Sequence, residues 1–391
     1  MLRRFPLLLA ALSLAAACTH GTNQAGPELP GSSPTKAPTP VLAAAAAKGT
    51  TVPWSSPLSI SVTDGTLESV TATGPGGAPV EGTLANGVWT STSTLIPARS
   101  YVVSAEVKDN GGDTQTLTQT FVASKAEKVL HATVSPGPGS IVGVAQPVIV
   151  RFDQKVGTKA DRLAVMQRLH VTTTPAVEGA WRWYNSFEVH YHAEKYWKSG
   201  TKIKVRADLG LLHLTGTKTW GSTQAVTSAF TIGKDYESVV DISAHVMHVY
   251  LDHKLIRTIK VSTGRDKYPT KGGVHIVLTR EKSHTYNSGT VGIPTDGPGG
   301  YYEKLPWSMR ISNGGAFVHA NPQTVGVQGR RNVSHGCVNT SVADAEWFYY
   351  HSQLGDPVDI IHAVVKPVRW DAGMADWNYT WAEWKAGNLT G

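Results

Sequence analysis

Hydrophobic and polar residues alternate over several short stretches in the early part of the chain. The apolar positions of the first clear stretch are Leu58, Ile60 and Val62. An Asp64-Gly65 pair, typical of hairpin turns, follows this stretch, and the alternation returns at residues 101–107. Several short strands at this spacing predict an immunoglobulin-like (Ig-like) sandwich without a disulfide, and we assign it residues 48–124.

The same period of two continues over residues 125–234. Its predicted strands include residues 148–152, 187–191 and 203–209. Trp181 and Trp183 are expected in the core, where a sandwich usually places tryptophan. We interpret this region as a second, divergent Ig-like domain. Neither sandwich contains a convincing catalytic cluster, so both are expected to act as spacers or as a platform.

Residues 235–364 have a different pattern, because glycine-rich segments interrupt the alternation of apolar and polar residues. Residues 246–261 predict a hairpin, and one helix is predicted after Thr340 or Ser341 and before Gly355. The apolar face of that helix would be formed by Val342, Ala345, Phe348 and Tyr349. We therefore expect a mostly-β domain whose loops carry the chemistry.

The C-terminal residues 365–391 are rich in tryptophan. They contain Trp370, Trp377, Trp381 and Trp384. The last three are four and three residues apart, so one face of a short helix can carry all of them. We expect this face to pack on the preceding domain, and the alternative is an aromatic strip that binds carbohydrate.

The first residues are typical of a bacterial export signal. Arg3 and Arg4 supply positive charge, and the apolar run 7–14 is shorter than the about 20 residues that span a bilayer. The run Ala-Ala-Ala-Cys that ends at Cys18 resembles a lipobox, in which the cysteine is diacylated and becomes the new N-terminus. Residues 1–18 are thus expected to be a lipoprotein signal peptide, and ordinary cleavage at an Ala-x-Ala site is the alternative.

Residues 19–47 are rich in Pro, Gly, Ser, Thr and Ala, a composition that predicts a flexible tether. Lipid and tether together place the folded part on the extracytoplasmic face of the cell membrane, facing the cell wall. The formal net charge of +7 favours attraction to anionic polymers of the cell envelope. No Lys/Arg-dense run or recognisable motif supports binding to nucleic acid.

The chain has two cysteines, and Cys337 has no partner once Cys18 is assigned to export. An unpaired cysteine in an exported protein suggests reactivity, as a thiolate nucleophile beside a histidine base. His319 follows the apolar run 316–318 and is expected on a buried strand. His335 lies only two residues from the cysteine, where it is expected to shape the loop rather than reach the sulfur.

The order of these residues resembles the signature of the L,D-transpeptidase (YkuD-type) family. His319 is followed by fourteen residues and then by the segment 334–339, which reads Ser-His-Gly-Cys-Val-Asn. The resemblance covers most of residues 235–385. The preceding sandwiches and the Trp-rich tail resemble those of mycobacterial and other actinobacterial enzymes that cross-link peptidoglycan. It implies a YkuD-type catalytic domain at 235–364.

The resemblance also implies roles for individual residues. Cys337 would be the nucleophile, His319 the base, and the backbone N–H of Cys337 part of an oxyanion hole with a contribution near Tyr301. The residues expected to bind the substrate are Tyr301, Gly314, Gly315, Ser334, His335, Gly336 and Asn339. No metal, nucleotide or other cofactor is implied.

Several positions depart from the family pattern. Relatives have Ser after the base, whereas this chain has Ala320, which keeps only the backbone carbonyl. A lid position falls near Tyr286, and a second pocket tyrosine is replaced by Val291. Some relatives bind calcium in the second sandwich, but residues 214–220 contain no carboxylate, and no such site is expected.

The expected activity is formation of 3→3 cross-links between diaminopimelate residues. The cysteine would attack a donor tetrapeptide stem, release D-Ala and pass the acyl group to the amine of an acceptor stem. β-Lactams, carbapenems above all, would acylate the same thiol. One alternative is a carboxypeptidase or endopeptidase on the same cysteine, and others are a zinc hydrolase using His319, His335 and Cys337 or a non-catalytic cell-wall-binding lipoprotein.

Overall fold

The computed structural model describes residues 38–366 and 375–390, and strands form most of their regular structure. Two sandwiches come first, and a domain of two further sheets with a packed helix follows. The predicted fold class, mostly β with Ig-like structure first and a short helix at the C-terminal end, is confirmed. Within the described residues, the helices are too short or too polar to cross a membrane.

The first sandwich packs a sheet of order β1-β3-β6-β5 on a sheet of order β2-β8-β7-β4. Its strands are β1 (Val41–Ala44), β2 (Thr51–Val52), β3 (Pro57–Thr63), β4 (Gly65–Thr73), β5 (Gly82–Ala85), β6 (Val88–Thr94), β7 (Ser100–Asp109) and β8 (Thr114–Ala123). The alternation buries Leu58 and Ile60 on β3 and every second side chain from Tyr101 to Val107 on β7, as the sequence predicts, whereas Val62 is only half buried.

The predicted tether is too long at its C-terminal end. The composition predicts a tether over residues 19–47, but β1 pairs antiparallel with β3 and belongs to the sandwich. Leu42 is buried in the core there. The alanine-rich composition hides this strand, because its apolar side chains are small and few. Residues 19–37 and the signal peptide with Cys18 lie outside the described residues.

The second sandwich packs a sheet of order β10-β12-β15-β14 on one of order β11-β18-β16-β13, with β9 and β17 as a separate pair. Its elements are β9 (Lys128–Leu130), β10 (Ala132–Ser135), β11 (Ile141–Val142), β12 (Val148–Phe152), α1 (Lys159–Met166), β13 (Leu169–Thr174), β14 (Gly179–Asn185), β15 (Glu188–Ala193), β16 (Lys202–Ala207), β17 (Thr219–Gly221) and β18 (Val226–Ile232).

Most of the expected core of this sandwich is present, with two differences. Trp181 and Trp183 are buried, but Phe187 lies in the turn before β15 and is exposed. The strand predicted at 187–191 therefore starts one residue later. Helix α1, whose N-terminus is capped by the Thr158 side chain, was not predicted, because its eight residues are too few to show a clear period.

The third domain has one sheet of order β21-β20-β19-β27-β22 and one of order β23-β24-β25-β26. Its elements are β19 (Tyr236–Asp241), β20 (Val246–Leu251), β21 (Lys254–Lys260), β22 (Gly273–Ile276), β23 (Thr279–Asn287), β24 (Tyr302–Arg310), β25 (Phe317–Ala320), β26 (Val338–Thr340), α2 (Val342–His351) and β27 (Pro357–Ile361). The predicted hairpin corresponds to β20 and β21.

Helix α2 follows the predicted cysteine loop and packs on β24 and β25. The Ser341 side chain caps it by accepting a hydrogen bond from the Asp344 N–H at 3.1 Å. Ala345 and Phe348 face the core, whereas Val342, expected on the apolar face, is exposed in the first turn. The helix thereby supports the strand that carries His319.

The Trp-rich tail packs mainly on the second sandwich, not on the third domain as expected. It contains a 3-10 turn (Ala375–Asn378) and helix α3 (Trp381–Lys385). The Trp384 indole N–H donates to the Ala180 carbonyl at 2.8 Å, and the rings of Trp377 and Trp384 lie 4.1 and 3.9 Å from that of His192. Trp370 lies outside the described residues.

The reason for this packing is the exposed edge of β14. An uncovered edge strand presents free backbone groups, and proteins commonly cover such edges. Here the Trp183 N–H donates to the Gly387 carbonyl at 2.9 Å, so the tail satisfies the edge directly. The tail also contacts the third domain, where the Asn378 side-chain amide bonds both backbone groups of Val274 on the edge strand β22.

We expect Trp384→Ala to lower the free energy of unfolding by about 3–5 kcal/mol, because it removes a fully buried indole and leaves a cavity. Chemical denaturation measures the change. Trp381→Ala is the matched control, since this ring is only partly buried and its loss should cost clearly less. Equal losses in the two variants would contradict the packing described here.

Candidate active site

Two short parallel strands bring the predicted nucleophile and base together. Strand β25 pairs with β26 so that His319 lies opposite Asn339. Cys337 immediately precedes β26 and therefore lies at the same end of the sheet. The residues around His319 on β25 are apolar and buried, which holds the histidine in place.

His319 is oriented by its own strand. Its Nδ1 lies 2.9 Å from the carbonyl oxygen of Ala320, and a carbonyl only accepts, so Nδ1 carries the proton. Nε2 is then left with its lone pair. Burial lowers the pKa of His319 to about 4, although the Ala320 carbonyl favours the charged form. The imidazole is neutral at pH 7 and able to accept a proton.

The Cys337 thiol is also held in its neutral form. Burial raises its pKa to about 11, although the backbone amide of Phe317 and the charge of Arg310 favour the thiolate. The thiol donates weakly to the Gly315 carbonyl, with Sγ 3.8 Å from the oxygen. Thiol and imidazole therefore rest uncharged, and the proton has to move during the reaction.

A side-chain staple shapes the loop that carries the cysteine. The Ser334 hydroxyl donates to the Cys337 carbonyl at 2.6 Å and accepts from the Gly336 N–H at 3.1 Å. Gly336 has φ of 118°, a conformation that favours glycine. Thr270 donates its hydroxyl to the Gly336 carbonyl at 3.0 Å. Ser334 and Gly336 thus position the nucleophile from within the turn.

His335 is engaged by an arginine and not by the thiol. Its Nε2 lies 2.6 Å from the guanidinium of Arg265, and its ring packs between Tyr268 and Tyr301. Burial and the positive charge of Arg265 both lower the pKa of His335. The neutral Nε2 of His335 accepts a hydrogen bond from Arg265, and this contact stabilises the loop.

The other predicted substrate residues fall into different places. The Tyr301 backbone N–H donates to the Ser288 hydroxyl at 3.0 Å, so only its side chain remains available to a substrate. Gly315 presents its carbonyl to the thiol, while Gly314 lies one residue away in the turn before β25. The Asn339 Oδ1 is buried and without a hydrogen-bond partner.

One cavity of about 240 Å³ joins the predicted groups. Its lining includes six of them, Tyr301, Ser334, His335, Cys337, His319 and Asn339. Gly314, Gly315 and Gly336 do not line it. The cavity is also lined by residues that sequence reasoning did not single out, among them Glu303, Leu305, Asn321, Gln323 and Thr324. Side chains alternate between the two faces of a strand, so Glu303 and Leu305 lie on the same face of β24. This spacing is the only feature of the sequence that connects them.

Tyr286 forms part of the wall and is not an open lid. It is buried on β23, its hydroxyl donates to Ser308 Oγ at 2.8 Å, and its ring lies 4.6 Å from that of His319. Val291, the other departure, lies on a 3-10 turn (Ser288–Val291) and is half exposed. The base is thus backed by an aromatic side chain that excludes water.

A zinc site does not fit these groups. The Nε2 of His335 lies 2.6 Å from the Arg265 guanidinium, which occupies its lone pair and whose charge repels a cation. Zinc sites instead turn their imidazole lone pairs toward one point. The arrangement supports a cysteine–histidine pair with one nitrogen free to exchange a proton.

Comparison with known proteins matches two families. Residues 49–212 match a bacterial Ig domain, and residues 235–360 match the L,D-transpeptidase catalytic domain named YkuD. L,D-transpeptidase 2 of Mycobacterium tuberculosis (strain CDC 1551 / Oshkosh) is 36% identical over 334 residues, covering 85% of this chain and 80% of the relative. L,D-transpeptidase 5 of M. tuberculosis (strain ATCC 25618 / H37Rv) is 32% identical, covering 84% and 72%.

Solved structures agree with these relatives. A structure of the LD transpeptidase LdtMt1 in complex with imipenem is 30% identical with a TM-score of 0.52, covering 60% of this chain and 99% of the other. L,D-transpeptidase 3 of M. tuberculosis in complex with a faropenem-derived adduct is 31% identical with a TM-score of 0.50, covering 58% and 96%.

The raised thiol pKa predicts a slow reaction of Cys337 with iodoacetamide at neutral pH. Because only the thiolate reacts and its pKa is about 11, the rate should rise about tenfold per pH unit between pH 6 and 9. An unstructured cysteine peptide, with a pKa near ~8.5, is the reference and should react roughly a hundredfold faster at pH 7. A rate that is already constant above about pH 6 would instead indicate a thiolate–imidazolium pair.

Proposed function

The chain belongs to the L,D-transpeptidase family, and from this premise we propose that it forms 3→3 cross-links between diaminopimelate residues of peptidoglycan through a cysteine acyl-enzyme. The observation that carries the proposal is the cavity shared by the His319 ring, oriented with Nε2 unprotonated, and the Cys337 thiol. This pairing of nucleophile and base is the arrangement that acyl transfer requires.

In the first half-reaction, the Cys337 sulfur attacks the carbonyl of diaminopimelate in a donor tetrapeptide stem. His319 Nε2 takes the thiol proton as the carbon–sulfur bond forms, because both groups rest neutral. The imidazolium then protonates the nitrogen of D-Ala, which leaves as the peptide bond breaks. A thioester on Cys337 and a neutral His319 remain.

In the second half-reaction, the side-chain amine of an acceptor stem attacks the thioester. His319 takes a proton from that amine and returns it to the sulfur, so the enzyme ends as it began. The backbone N–H of Cys337 and the Tyr301 hydroxyl are proposed to stabilise the oxyanion in both steps. Donors of this kind contribute on the order of 10²–10³ in rate.

Water competes with the acceptor amine for the same thioester. An enzyme that favoured water would be a carboxypeptidase instead of a transpeptidase. The open, polar far wall of the cavity, with Asn321, Gln323 and Thr324, favours a second peptide there. The energy of the new cross-link comes from the broken peptide bond, so neither a nucleotide nor a metal is required.

β-Lactams are proposed to acylate Cys337 by the same attack. A strained β-lactam carbonyl replaces the peptide carbonyl, and ring opening leaves no small product to depart. Imipenem and a faropenem-derived adduct occur in structures of relatives, which supports this proposal.

The acyl-enzyme is tested by intact-mass spectrometry with a tetrapeptide donor, with and without an acceptor amine, and with a carbapenem. Wild-type protein should release D-Ala, form cross-linked product and carry a carbapenem adduct on Cys337. Cys337→Ala should lose all three, and His319→Ala should lose cross-linking by at least about a hundredfold.

His335→Ala is the comparison variant, because the Nε2 of His335 is engaged by Arg265 and the side chain supports the loop. It should retain more activity than His319→Ala. Cross-linking by Cys337→Ala would eliminate the mechanism, and a larger loss in His335→Ala than in His319→Ala would overturn the assignment of the base. Product formed only by water would identify a carboxypeptidase.

We further propose that the enzyme acts outside the cytoplasm, anchored by lipid on Cys18 and facing the cell wall. The export-signal pattern, the tether composition and the net charge of +7 support this placement. Lipidation of the mature N-terminus would let the two sandwiches carry the site away from the membrane.

Cys18→Ser is expected to release the protein from membranes. Fractionation of cells followed by immunodetection measures the shift, and Cys337→Ser is the matched control, since it changes the other cysteine and should stay membrane-bound. Because one acyl chain anchors only marginally, the lipid must carry more than one. Wild-type protein found wholly in the soluble fraction would refute the anchor.

A further inference from the structure

Glu303 stands out on the wall of the cavity. It lies on β24 between Tyr302 and Lys304, which are exposed, so the alternation of the strand turns Glu303 toward the site. Its cross-strand partner on β23 is the buried Tyr286. Glu303 and Leu305 both line the cavity that holds Cys337.

One side of the cavity near this carboxylate is apolar. Tyr286, Leu305 and Phe317 form a small hydrophobic cluster against which Tyr301 and Cys337 pack. Burial raises the pKa of Tyr301, and the charges on Cys337 and Glu303 add to the rise, so the carboxylate lies close enough to Tyr301 to act on its hydroxyl. A carboxylate beside an apolar cluster is costly unless something binds it.

No hydrogen bond or ion pair joins Glu303 to another residue within 38–366 or 375–390. Other carboxylates of the same domain do have cationic or imidazole partners. Glu281 bonds His284 at 2.8 Å, Asp344 bonds Arg257 at 2.7 Å, and Asp241 bonds His362 at 2.9 Å. Glu303 has no such partner and lines the cavity, so its carboxylate is available to a ligand.

The partner that suits an unpaired carboxylate is a cation. The stem peptide of the proposed function carries one, because the far end of the diaminopimelate side chain bears an ammonium group beside a carboxyl group. An ammonium bound to a half-buried carboxylate makes a charge-assisted hydrogen bond, which is about twice as strong as a neutral one.

We propose that Glu303 binds the side-chain ammonium of diaminopimelate in the stem peptide and is a specificity-determining residue of the site. The inference rests on the proposed function. Both stems contain this group. On the donor it would align the scissile carbonyl with Cys337. On the acceptor it would hold the ammonium near the thioester. The ammonium releases one proton to solvent to become the nucleophilic amine, and His319 takes a second proton as the carbon–nitrogen bond forms and returns it to the departing sulfur.

The test compares wild type, Glu303→Gln and Glu303→Asp on two donors, the diaminopimelate tetrapeptide and the same peptide without its side-chain amino group. Glu303→Gln should lower kcat/KM for the first donor roughly ten- to hundredfold, chiefly through KM, and leave the second donor unchanged. Glu303→Asp, which keeps the charge, should recover part of the loss.

Separate half-reactions identify the stem. A loss already present in the acylation of Cys337 without acceptor assigns the ammonium to the donor. Normal acylation with a raised KM for the acceptor assigns it to the acceptor. Either result supports the inference, because both depend on the charge of Glu303.

Two controls keep the result specific. Glu346→Gln makes the same chemical change on the exposed face of α2 and should behave as wild type. Acylation by a β-lactam that lacks a cationic group should be unchanged in Glu303→Gln, which shows that the pocket and the nucleophile are intact.

Equal kcat/KM for wild type and Glu303→Gln in both half-reactions would overturn the inference, as would an equal loss on the donor without the amino group. In those cases the wild type is active and the proposed function stands. A wild-type enzyme that releases no D-Ala from the diaminopimelate donor would overturn the proposed function and this inference together.

Discussion

The site depends on the parallel pairing of two strands of only a few residues. A parallel pair needs a long crossover connection, and here residues 321–337 make it. The crossover leaves the sheet after the base and returns with the nucleophile, so one connection sets the spacing of both. The same segment supplies the far wall, from Asn321 to Ser334. The pair and the cavity around it are therefore products of one topological constraint.

Burial of that pair decides its chemistry. A thiolate and an imidazolium attract each other, but both lose hydration in an apolar pocket, and here the cost of desolvation dominates. The replacement of serine by Ala320 is tolerated because only the backbone carbonyl orients His319. Charges interact more strongly in such a pocket than in water. The unpaired Glu303 would therefore attract a charged group of the substrate more strongly than a surface carboxylate would.

The sequence predicted the fold class, and it singled out Cys337 and His319, which line one cavity in the structure, because both features leave strong local signals. Alternation marks β3 and β7, and an unpaired Cys337 beside a spaced histidine marks the chemistry. The errors arose where structure depends on distant contacts. Leu42 and its strand are fixed by pairing with β3, Phe187 is exposed by a turn, and the tail docks where β14 leaves an edge open. Glu303 was missed because a charged residue on a strand normally faces solvent, and only the tertiary structure shows which face is which.

The tail also explains why the second sandwich is more than a loosely attached spacer. His190 of that sandwich lies between Glu188 of the same strand and Asp376 of the tail. Its two ring nitrogens are 2.7 and 2.8 Å from their carboxylate oxygens. Burial alone would lower the pKa of His190, but the two carboxylates raise it to about 9. The charged group therefore stabilises the docked tail at every pH below about 6.5, the value of a free histidine, and this contribution disappears as the pH rises through about 9.

The second sandwich is joined to the catalytic domain at two separate places. At the first, Asn378 of the docked tail bonds Val274 of the third domain. At the second, the backbone amides of Gly143 and Ala145 donate to the carbonyls of Leu354 and Gly355. Two attachments resist rotation where a single linker would not, so the second sandwich keeps a defined orientation relative to the catalytic domain.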